Sequence, residues 1–335
     1  MDHRDEHFRS QFSAAGRQSA VGELRSAARD FGVEITTVLL DGEGRVQDSD
    51  SGRADQVEFL WCHGRFTGAW VNRAIESLPN LKWVHSDFVG IDAMPIDKLA
   101  ACGIEFTNGG GNFARPMAEW SVMGVLASAK RFGYFHSLSQ SGIWDPSLEL
   151  TELAGKKLFL VGLGSVNRLV AAMVAPFDMS VSAWSRTRKQ EPVLGVDQFY
   201  WGDDVPDEMQ LADYIVVGVP LTTKTRRMFN AELLGKLKRG VTVINPARGA
   251  IFNEVALAEA IDSGQVGYAL LDAFEAEPLP ENSPLWRNPR VTVYPHHSWS
   301  SPNVTGNAVV RMRSQLALWL KGEQLDGLVD LEAGY

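Results

Sequence analysis

The sequence has few cysteines and lacks long apolar runs. Cys62 and Cys102 are the only cysteines among 335 residues. Two thiols make neither a disulfide framework nor a zinc cluster, so a reducing cytoplasm is the expected compartment. No apolar stretch approaches the roughly 20 residues that span a bilayer, which argues against a membrane protein. The first residues are charged and have no apolar segment, so we expect no signal peptide there.

The sequence also lacks a basic excess. Lys and Arg number 32 against 41 Asp and Glu, which gives a net charge of −9, and the acidic residues are dispersed. A nucleic-acid binder needs a basic face, so the composition argues against nucleic-acid partners. Hydrophobic residues make up 45% and charged residues 22%, as is usual for a soluble globular protein. The length suits two domains.

What the sequence does contain is an alternation of short apolar runs and helical patterns, which predicts βαβ units and parallel sheets. Strands are predicted at 33–40, 57–62, 81–85, 104–107, 157–161, 180–184, 213–218, 241–245, 267–271 and 291–293. Helices are predicted at 21–31, 70–78, 96–101, 117–129, 165–176, 230–237, 253–263 and 303–320. Residues 1–17 are interpreted as a loose arm without a strand, residues 47–55 as a polar loop, and residues 108–112 as a flexible glycine-rich break.

A glycine-rich turn follows the strand at 157–161. Gly162-Leu-Gly164 opens a helix at Ser165 and Val166, which is the context of a dinucleotide-binding turn. The first glycine allows the tight turn, and the second lets the backbone approach a pyrophosphate that the first helical amides bind. The third position is Asn167 instead of Gly or Ala, and we expect a locally shifted helix there. The alternative is a glycine turn of no special function.

The end of the next strand bears on the choice of coenzyme. An NAD site places a carboxylate about 20 residues after the turn, on the ribose hydroxyls. Here the chain has Ser185, Arg186, Thr187 and Arg188. Hydroxyl and guanidinium groups bind a 2′-phosphate that a carboxylate would repel. The sequence therefore favours NADP, with NAD as the second coenzyme, and the alternative is a solvated basic loop.

Three residues in the last third of the chain can carry acid–base chemistry on an oxo acid. They occur as Asn-Pro-Ala-Arg248-Gly, as Phe-Glu-Ala-Glu277-Pro and as Tyr-Pro-His296-His. A guanidinium binds a planar carboxylate, an imidazole moves a proton, and a carboxylate orients the imidazole. Each residue taken alone has an ordinary structural explanation; it is the set that favours catalysis.

These motifs resemble the NAD(P)-dependent D-2-hydroxyacid dehydrogenases, from about Val57 to Pro302. The resemblance implies that Arg248 binds the substrate carboxylate, that His296 is the acid and base, and that Glu277 holds its imidazole. The related formate dehydrogenases have Gln at the position of Glu277, so the carboxylate favours oxo-acid chemistry. Because the family's histidine directly follows Pro, His296 is chosen over His297, which is expected to line the pocket or to pack.

Other residues are assigned by the same resemblance. The loop at 86–92 matches the family's substrate loop, in which backbone amides equivalent to those of Val89 and Gly90 bind the substrate carboxylate. Asp272 matches the residue that holds the nicotinamide carboxamide. Pro220 and Thr222 match the turn beside the adenosine and pyrophosphate. His63 and Arg65 follow the strand at 57–62; they are expected at the surface, and the alternative is that they reach the substrate.

The resemblance also implies an α/β fold of two doubly wound parallel-sheet domains. A Rossmann coenzyme domain at 116–297 would be inserted in a flavodoxin-like substrate domain formed by 1–115 and 298–335. In the family the active site lies between the domains, and a helix and arm, here 117–150, form a homodimer.

The expected activity is hydride transfer from NADPH to a small 2-oxo acid, similar to glyoxylate/hydroxypyruvate reductases, which gives the D-2-hydroxy acid. Two alternatives remain open. One is a reductase of a bulkier aryl or branched 2-oxo acid, and the other is a non-catalytic protein that senses dinucleotides.

Overall fold

The computed structural model describes residues 14–331, except 36, 39, 64–66, 93 and 189. The described residues divide into two compact units. One contains those up to Asn112 together with those from Ser301 onward, and the other is Phe113–Ser300. The predicted division into domains after residues 115 and 297 stays our proposal.

Both units are α/β. The strands are β1 (Phe59–Cys62), β2 (Trp83–Ser86), β3 (Glu105–Thr107), β4 (Lys157–Val161), β5 (Ser180–Ser185), β6 (Gln198–Trp201), β7 (Tyr214–Val217), β8 (Val241–Asn245), β9 (Val266–Leu271) and β10 (Val291–Val293). The α-helices are α1 (Ala14–Arg29), α2 (Gly68–Ser77), α3 (Ile96–Ala101), α4 (Ala114–Ala129), α5 (Phe132–Gln140), α6 (Ser165–Val174), α7 (Ala231–Lys236), α8 (Glu254–Asp262) and α9 (Val304–Lys321). None of the helices in the described part is long and apolar enough to cross a membrane.

The first unit is built on a parallel sheet in the order β1-β2-β3. Trp83 of β2 is fully buried and stacks on Trp319 of α9, with ring centroids 5.4 Å apart. Leu24 of α1 belongs to the same apolar cluster, which ties both helices to one face of the sheet. Val84 points into a second cluster with Phe106. With side chains packed on both faces, β2 fixes the position of the loop that follows it.

The second unit has a seven-stranded parallel sheet in the order β6-β5-β4-β7-β8-β9-β10. In chain order this is 3-2-1-4-5-6 followed by one more strand, the doubly wound arrangement of dinucleotide-binding domains. All residues of β7 and β8 are buried, as expected of parallel strands covered on both faces. The strand order reverses between β4 and β7, and the turn at Gly162 lies at that point.

Several predicted elements differ from the structure. The strand predicted at 33–40 is wrong for the described residues of that range, where only Leu40 pairs, in an isolated bridge with Val46. An apolar run without a neighbouring strand has no partner for its backbone groups. The polar loop at 47–55 contains a 3-10 helix, Asp48–Gln56. The arm predicted at 1–17 lies outside the described residues up to 13, and 14–17 are helical. The helix α5 and the strand β6 were not predicted.

Candidate active site

The glycine turn connects β4 to α6. Gly162 has a φ of +87°, and a Cβ there would lie 2.7 Å from the carbonyl oxygen of Gly218, so this position requires glycine. Gly164 is the N-cap of α6, and a Cβ on it would meet nothing within 4 Å. A phosphate therefore has open access to the first amides of α6, those of Ser165 and Val166, which lack acceptors within the helix. The turn fits a dinucleotide pyrophosphate.

Asn167 is accommodated beneath this turn. Its side chain is buried, and its Nδ2 donates to the carbonyl oxygen of Gly162 at 2.7 Å. The space comes from Gly218 on β7's carboxyl end, because a Cβ there would lie 2.6 Å from Asn167 Nδ2. The unusual third residue of the motif is thus hydrogen-bonded to the first and matched by a glycine on the neighbouring strand. The helix begins at Ser165, directly after the turn.

Basic side chains gather after β5, where a 2′-phosphate is expected. Ser185 ends the strand, and its hydroxyl donates to the carbonyl oxygen of Thr187 at 2.7 Å. The guanidinium carbon of Arg188 lies 4.8 Å from the ring centroid of Trp201. One carboxylate, that of Asp203, is close by. Its pKa is lowered by a hydrogen bond from Lys224 and, to a smaller extent, by the charge of Arg186.

The turn after β7 is closed by threonines. The hydroxyl of Thr225 donates to the carbonyl oxygen of Pro220 at 2.6 Å and accepts from the backbone amide of Thr222 at 2.7 Å. The predicted coenzyme residues Pro220 and Thr222 therefore belong to one hydrogen-bonded turn at the same edge of the sheet as Gly162.

Arg248 lies in the loop after β8. Buried Asn245 folds that loop, because its Nδ2 donates to the carbonyl oxygen of Arg248 at 3.0 Å and its Oδ1 accepts from the amide of Ala247 at 3.1 Å. The next residue, Gly249, packs against backbone, and a Cβ on it would lie 2.0 Å from the carbonyl carbon of Phe274. Glycine at 249 thus lets the Arg248 loop approach the segment that carries Glu277.

Glu277 and His296 are hydrogen-bonded to each other. The distance from His296 Nδ1 to Glu277 Oε2 is 2.8 Å, and Glu277 Oε1 accepts from the amide of Phe274 at 3.0 Å. Burial raises the pKa of Glu277, but these two hydrogen bonds and the positive charges of His296 and Arg248 outweigh it and hold that pKa below its ordinary value. Glu277 is therefore a carboxylate at neutral pH, and it fixes the orientation of the imidazole.

The turn that carries His296 is held by Asp272. The carboxylate of Asp272 is fully buried and accepts from the amides of His297 at 2.7 Å and Ser298 at 3.1 Å, and from the Ser298 hydroxyl at 2.5 Å. The amide of His296 donates to the Asp272 carbonyl oxygen at 2.8 Å. His296 itself has a left-handed backbone with a φ of 52°. From this uncommon conformation the imidazole contacts Glu277.

The residues after His296 also fix the turn. Trp299 Nε1 donates to the carbonyl oxygen of His296 at 2.9 Å. The Trp299 ring meets Phe113 edge to face, with centroids 5.8 Å apart, and its centroid lies 5.6 Å from that of His297. His297 is therefore packed on Trp299, whereas the imidazole of His296 contacts Glu277.

The predicted substrate loop, residues 86–92, lies in the other unit. The carbonyl oxygen of Phe88 accepts from the amide of Gly109 at 3.1 Å, and that of Val89 accepts from Asn108 Nδ2 at 3.3 Å. The segment 108–112, expected to be a flexible break, is instead hydrogen-bonded along this loop. Val89 is 45% exposed. Within the described part of the chain, neither the amide of Val89 nor that of Gly90 donates a hydrogen bond.

The structure thus brings together four of the predicted residues, Arg248, Glu277, His296 and Asp272, at the carboxyl ends of β8, β9 and β10. Val89 and Gly90 are on the unit that contains β2. The sequence analysis missed Asn245 and Ser298. A polar residue that ends a mostly apolar strand, as Asn245 does, was an available signal, whereas Ser298 had none.

His63 was expected at the surface, and this prediction is wrong for its side chain. That side chain is only 7% exposed and contacts Asp87. The reason is the pairing of β1 with β2, which sets the residues that follow these two strands side by side. Arg65 lies outside the described residues.

The chain is similar to known proteins over most of its length. Residues 122–298 match the family model described as the D-isomer specific 2-hydroxyacid dehydrogenase NAD binding domain. Among relatives, a glyoxylate/hydroxypyruvate reductase A of Salmonella dublin is 34% identical over 83% of this chain and 100% of its own length. A D-3-phosphoglycerate dehydrogenase of Mycobacterium leprae is 30% identical over 89% of this chain, which spans only 59% of that longer protein.

Among solved structures, a D-isomer specific 2-hydroxyacid dehydrogenase of Xanthobacter autotrophicus, in complex with NADPH and MES, is similar with a TM-score of 0.80. It is 29% identical, and the match covers 95% of this chain and 96% of that one.

Proposed function

The chain belongs to the D-isomer specific 2-hydroxyacid dehydrogenase family, and from this we propose that it reduces a small 2-oxo acid, of the glyoxylate or hydroxypyruvate kind, with NADPH. The single observation that carries the proposal is the hydrogen bond from His296 Nδ1 to Glu277, at 2.8 Å, beside Arg248. The imidazole of His296, the ionised carboxylate of Glu277 and the guanidinium of Arg248 are the groups that reduction of an oxo acid requires.

His296 acts as the acid in this proposal. Because Nδ1 is bound to the Glu277 carboxylate, Nε2 is the atom that gives a proton to the carbonyl oxygen of the substrate. The coenzyme, when bound, supplies the hydride that the carbonyl carbon accepts. One hydride and one proton convert the 2-oxo acid to the D-2-hydroxy acid, and in the reverse direction Nε2 takes the proton back.

Arg248 binds the substrate carboxylate and polarises the carbonyl group. A guanidinium offers a planar pair of donors that matches a carboxylate. The amides of Val89 and Gly90 are proposed to bind the substrate carboxylate as well, because neither of them donates a hydrogen bond within the described part of the chain. Asp272 stabilises the turn of His296 and is proposed to meet the nicotinamide carboxamide.

The proposed coenzyme is NADPH, with NADH as the weaker donor. No carboxylate ends β5, and Arg186, Thr187 and Arg188, which follow Ser185, offer donors to a 2′-phosphate. Charged hydrogen bonds contribute roughly 1.5–3 kcal/mol each. At about 1.4 kcal/mol per decade, NADPH should be preferred by about ten-fold or more. The similar Xanthobacter enzyme, which was solved with NADPH, supports this choice.

We also propose a homodimer in the cytoplasm. No side chain of α5 is buried, and the segment after α4 exposes Phe132 by 65%, Ile143 by 55% and Trp144 by 94%. Exposed apolar surface of this kind marks an interface. Cys62 and Cys102 are both free thiols, which suits a reducing compartment. Light scattering on the purified protein would test the dimer.

Steady-state kinetics tests the function. Glyoxylate, hydroxypyruvate, pyruvate and phenylpyruvate are each offered with NADPH and with NADH, and oxidation of the coenzyme is followed. The proposal expects the highest kcat/KM for one of the first two acids with NADPH. A preference for phenylpyruvate would favour a reductase of bulky oxo acids. Coenzyme binding without turnover of any of the four would favour a dinucleotide sensor and contradict the proposal.

A further inference from the structure

A buried pair of side chains lies behind the substrate loop. The distance from His63 Nδ1 to Asp87 Oδ2 is 2.5 Å, and the two side chains are only 7% and 2% exposed. The register of the sheet brings them together. Cys62 at the end of β1 pairs with Ser86 at the end of β2, His63 directly follows Cys62, and Asp87 directly follows Ser86.

Asp87 is also hydrogen-bonded to other residues of its unit. Its other carboxylate oxygen, Oδ1, accepts from Trp61 Nε1 at 2.7 Å, and the Trp61 ring lies against His63 with centroids 4.7 Å apart. Its backbone carbonyl accepts from Asn112 Nδ2 at 3.1 Å. Gly109 packs so closely on that carbonyl that a Cβ would lie 1.7 Å from its oxygen. Asp87 is thus held at both its side chain and its backbone.

The consequence for Val89 and Gly90 follows from the planarity of the peptide group. In a trans peptide, the carbonyl of one residue and the N–H of the next point in opposite directions. The carbonyls of Phe88 and Val89 are bound to the segment 108–112, at 3.1 Å and 3.3 Å. The N–H groups of Val89 and Gly90 must therefore point away from that segment, side by side and ready to meet an anion.

Charge adds a second requirement. A carboxylate two residues before these amides would oppose the binding of an anionic substrate if its charge were not balanced. Each oxygen of the Asp87 carboxylate is hydrogen-bonded, Oδ2 to His63 and Oδ1 to Trp61, and these bonds stabilise its charge within the protein.

We propose that His63 and Asp87 are positioning residues of the substrate loop: their hydrogen bond anchors the start of the loop, so that the amides of Val89 and Gly90 bind the carboxylate of a 2-oxo acid. The inference rests on the proposed function for the identity of the anion. Neither residue contacts substrate in this scheme, so both act through the loop.

The main variant is His63→Leu, which keeps side-chain volume but removes the partner of Asp87 Oδ2. We expect KM for the preferred 2-oxo acid to rise about ten-fold, equivalent to about 1.4 kcal/mol, with kcat and the dissociation constant of NADPH nearly unchanged. Adding Asp87→Asn to this variant removes the carboxylate that has lost its partner, and KM should fall part of the way back to the wild-type value. A purely structural pair would show no such rescue.

Two further variants keep the test decisive. Trp61→Phe retains the ring but removes one hydrogen bond to Asp87, so it should raise KM in the same direction by a smaller factor even if His63→Leu does not fold. Gln315→Leu is the matched control. Gln315 is buried in the same unit, on α9, and accepts from the backbone amide of Asp326 at 3.0 Å. This variant should lower the melting temperature and leave KM unchanged.

Hydrogen exchange of the backbone amides separates this inference from the proposed function, because it needs no substrate. His63→Leu should accelerate exchange at 86–92, and Gln315→Leu should not. If the wild type reduces no 2-oxo acid, the proposed function fails, while the exchange rates still decide whether the pair holds the loop. Unchanged exchange at 86–92, or an unchanged KM in an active His63→Leu enzyme, would overturn the inference.

Discussion

We expect His85 to make the stability of this protein sensitive to acid. The residue lies on β2, is fully buried and shares a hydrogen bond of 2.8 Å between its Nδ1 and the Thr107 hydroxyl. Its Nε2 has no hydrogen-bond partner within the described part of the chain. Burial lowers the pKa of His85 from 6.5 to about 4; nearby Asp87 opposes this shift and the charge of Arg311 adds to it.

The sign and size of the effect follow from these two pKa values. Above about pH 6.5 the histidine is neutral in both the folded and the unfolded chain and changes nothing. Between about 6.5 and about 4 the unfolded chain binds a proton that the folded chain rejects, so the free energy of unfolding falls as pH falls. The difference of 6.5 − 4 = 2.5 units, at about 1.36 kcal/mol per unit, amounts to about 3 kcal/mol.

His85→Gln tests this reasoning, because glutamine keeps a hydrogen-bonding group but does not titrate. Urea unfolding followed by tryptophan fluorescence, from about pH 7 to about pH 4, gives the free energy of unfolding of both proteins. The wild type should lose about 3 kcal/mol more than the variant over this range.

Because the free energies of unfolding of the wild type and His85→Gln are compared at the same pH, the effects of acid on other residues cancel. The pKa of Glu277 is lowered in the folded protein, so Glu277 stabilises the fold above its unfolded pKa. This stabilisation is lost as the pH falls through the folded pKa, and the loss is the same in both proteins. Replacement of the exposed His136 by Gln is the control and should follow the wild type. Parallel pH curves for the wild type and His85→Gln would refute the reasoning.

Three predictions concern the proposed site. Arg248→Ala should lower kcat/KM about a hundred-fold or more, because the substrate carboxylate loses its hydrogen bonds to the guanidinium. NADPH binding should stay intact, and a variant with the wild-type kcat/KM would contradict the assignment. His296→Ala should lower kcat roughly 10²–10⁴-fold and His297→Ala far less, and the reverse order would identify the other histidine as the acid. Ser185→Asp should lower kcat/KM with NADPH about ten-fold and shift preference toward NADH; equal use of both coenzymes by the wild type would show that the basic run is only a solvated loop.

The sequence predicts the second unit well because its signals are local. The strand before Gly162 is apolar, the turn needs glycine at fixed positions, and the helix begins at once, so adjacent residues define the element. The helix α5 was missed for the opposite reason. Its apolar residues Phe132, Phe135 and Leu138 are three residues apart, but none of its side chains is buried, so the helix does not pack on the core of its own unit.

Contacts between distant residues are harder to predict. His63 and Asp87 are 24 residues apart, and their contact depends on the pairing of β1 with β2, which the sequence does not specify. Asn167 could be recognised as unusual from the motif, but its partner Gly218 could not, because the fit between them depends on how β7 lies beside β4. Local pattern thus indicates which chemistry is present, and strand register decides which side chains meet.

His296 has a left-handed backbone with a φ of 52°. Selection for thermal stability and selection for turnover should therefore favour different residues at this position. A residue with a Cβ costs roughly 1–2 kcal/mol in this conformation, whereas glycine adopts it freely. A library screened for thermal tolerance alone would be expected to enrich glycine at 296 and, given the proposed role of His296 as the acid, to lose turnover. Selection for turnover would retain histidine and accept the lower stability, which the hydrogen bonds from the turn to Asp272 partly offset. Engineering for heat resistance should therefore hold this position fixed and seek its gains elsewhere.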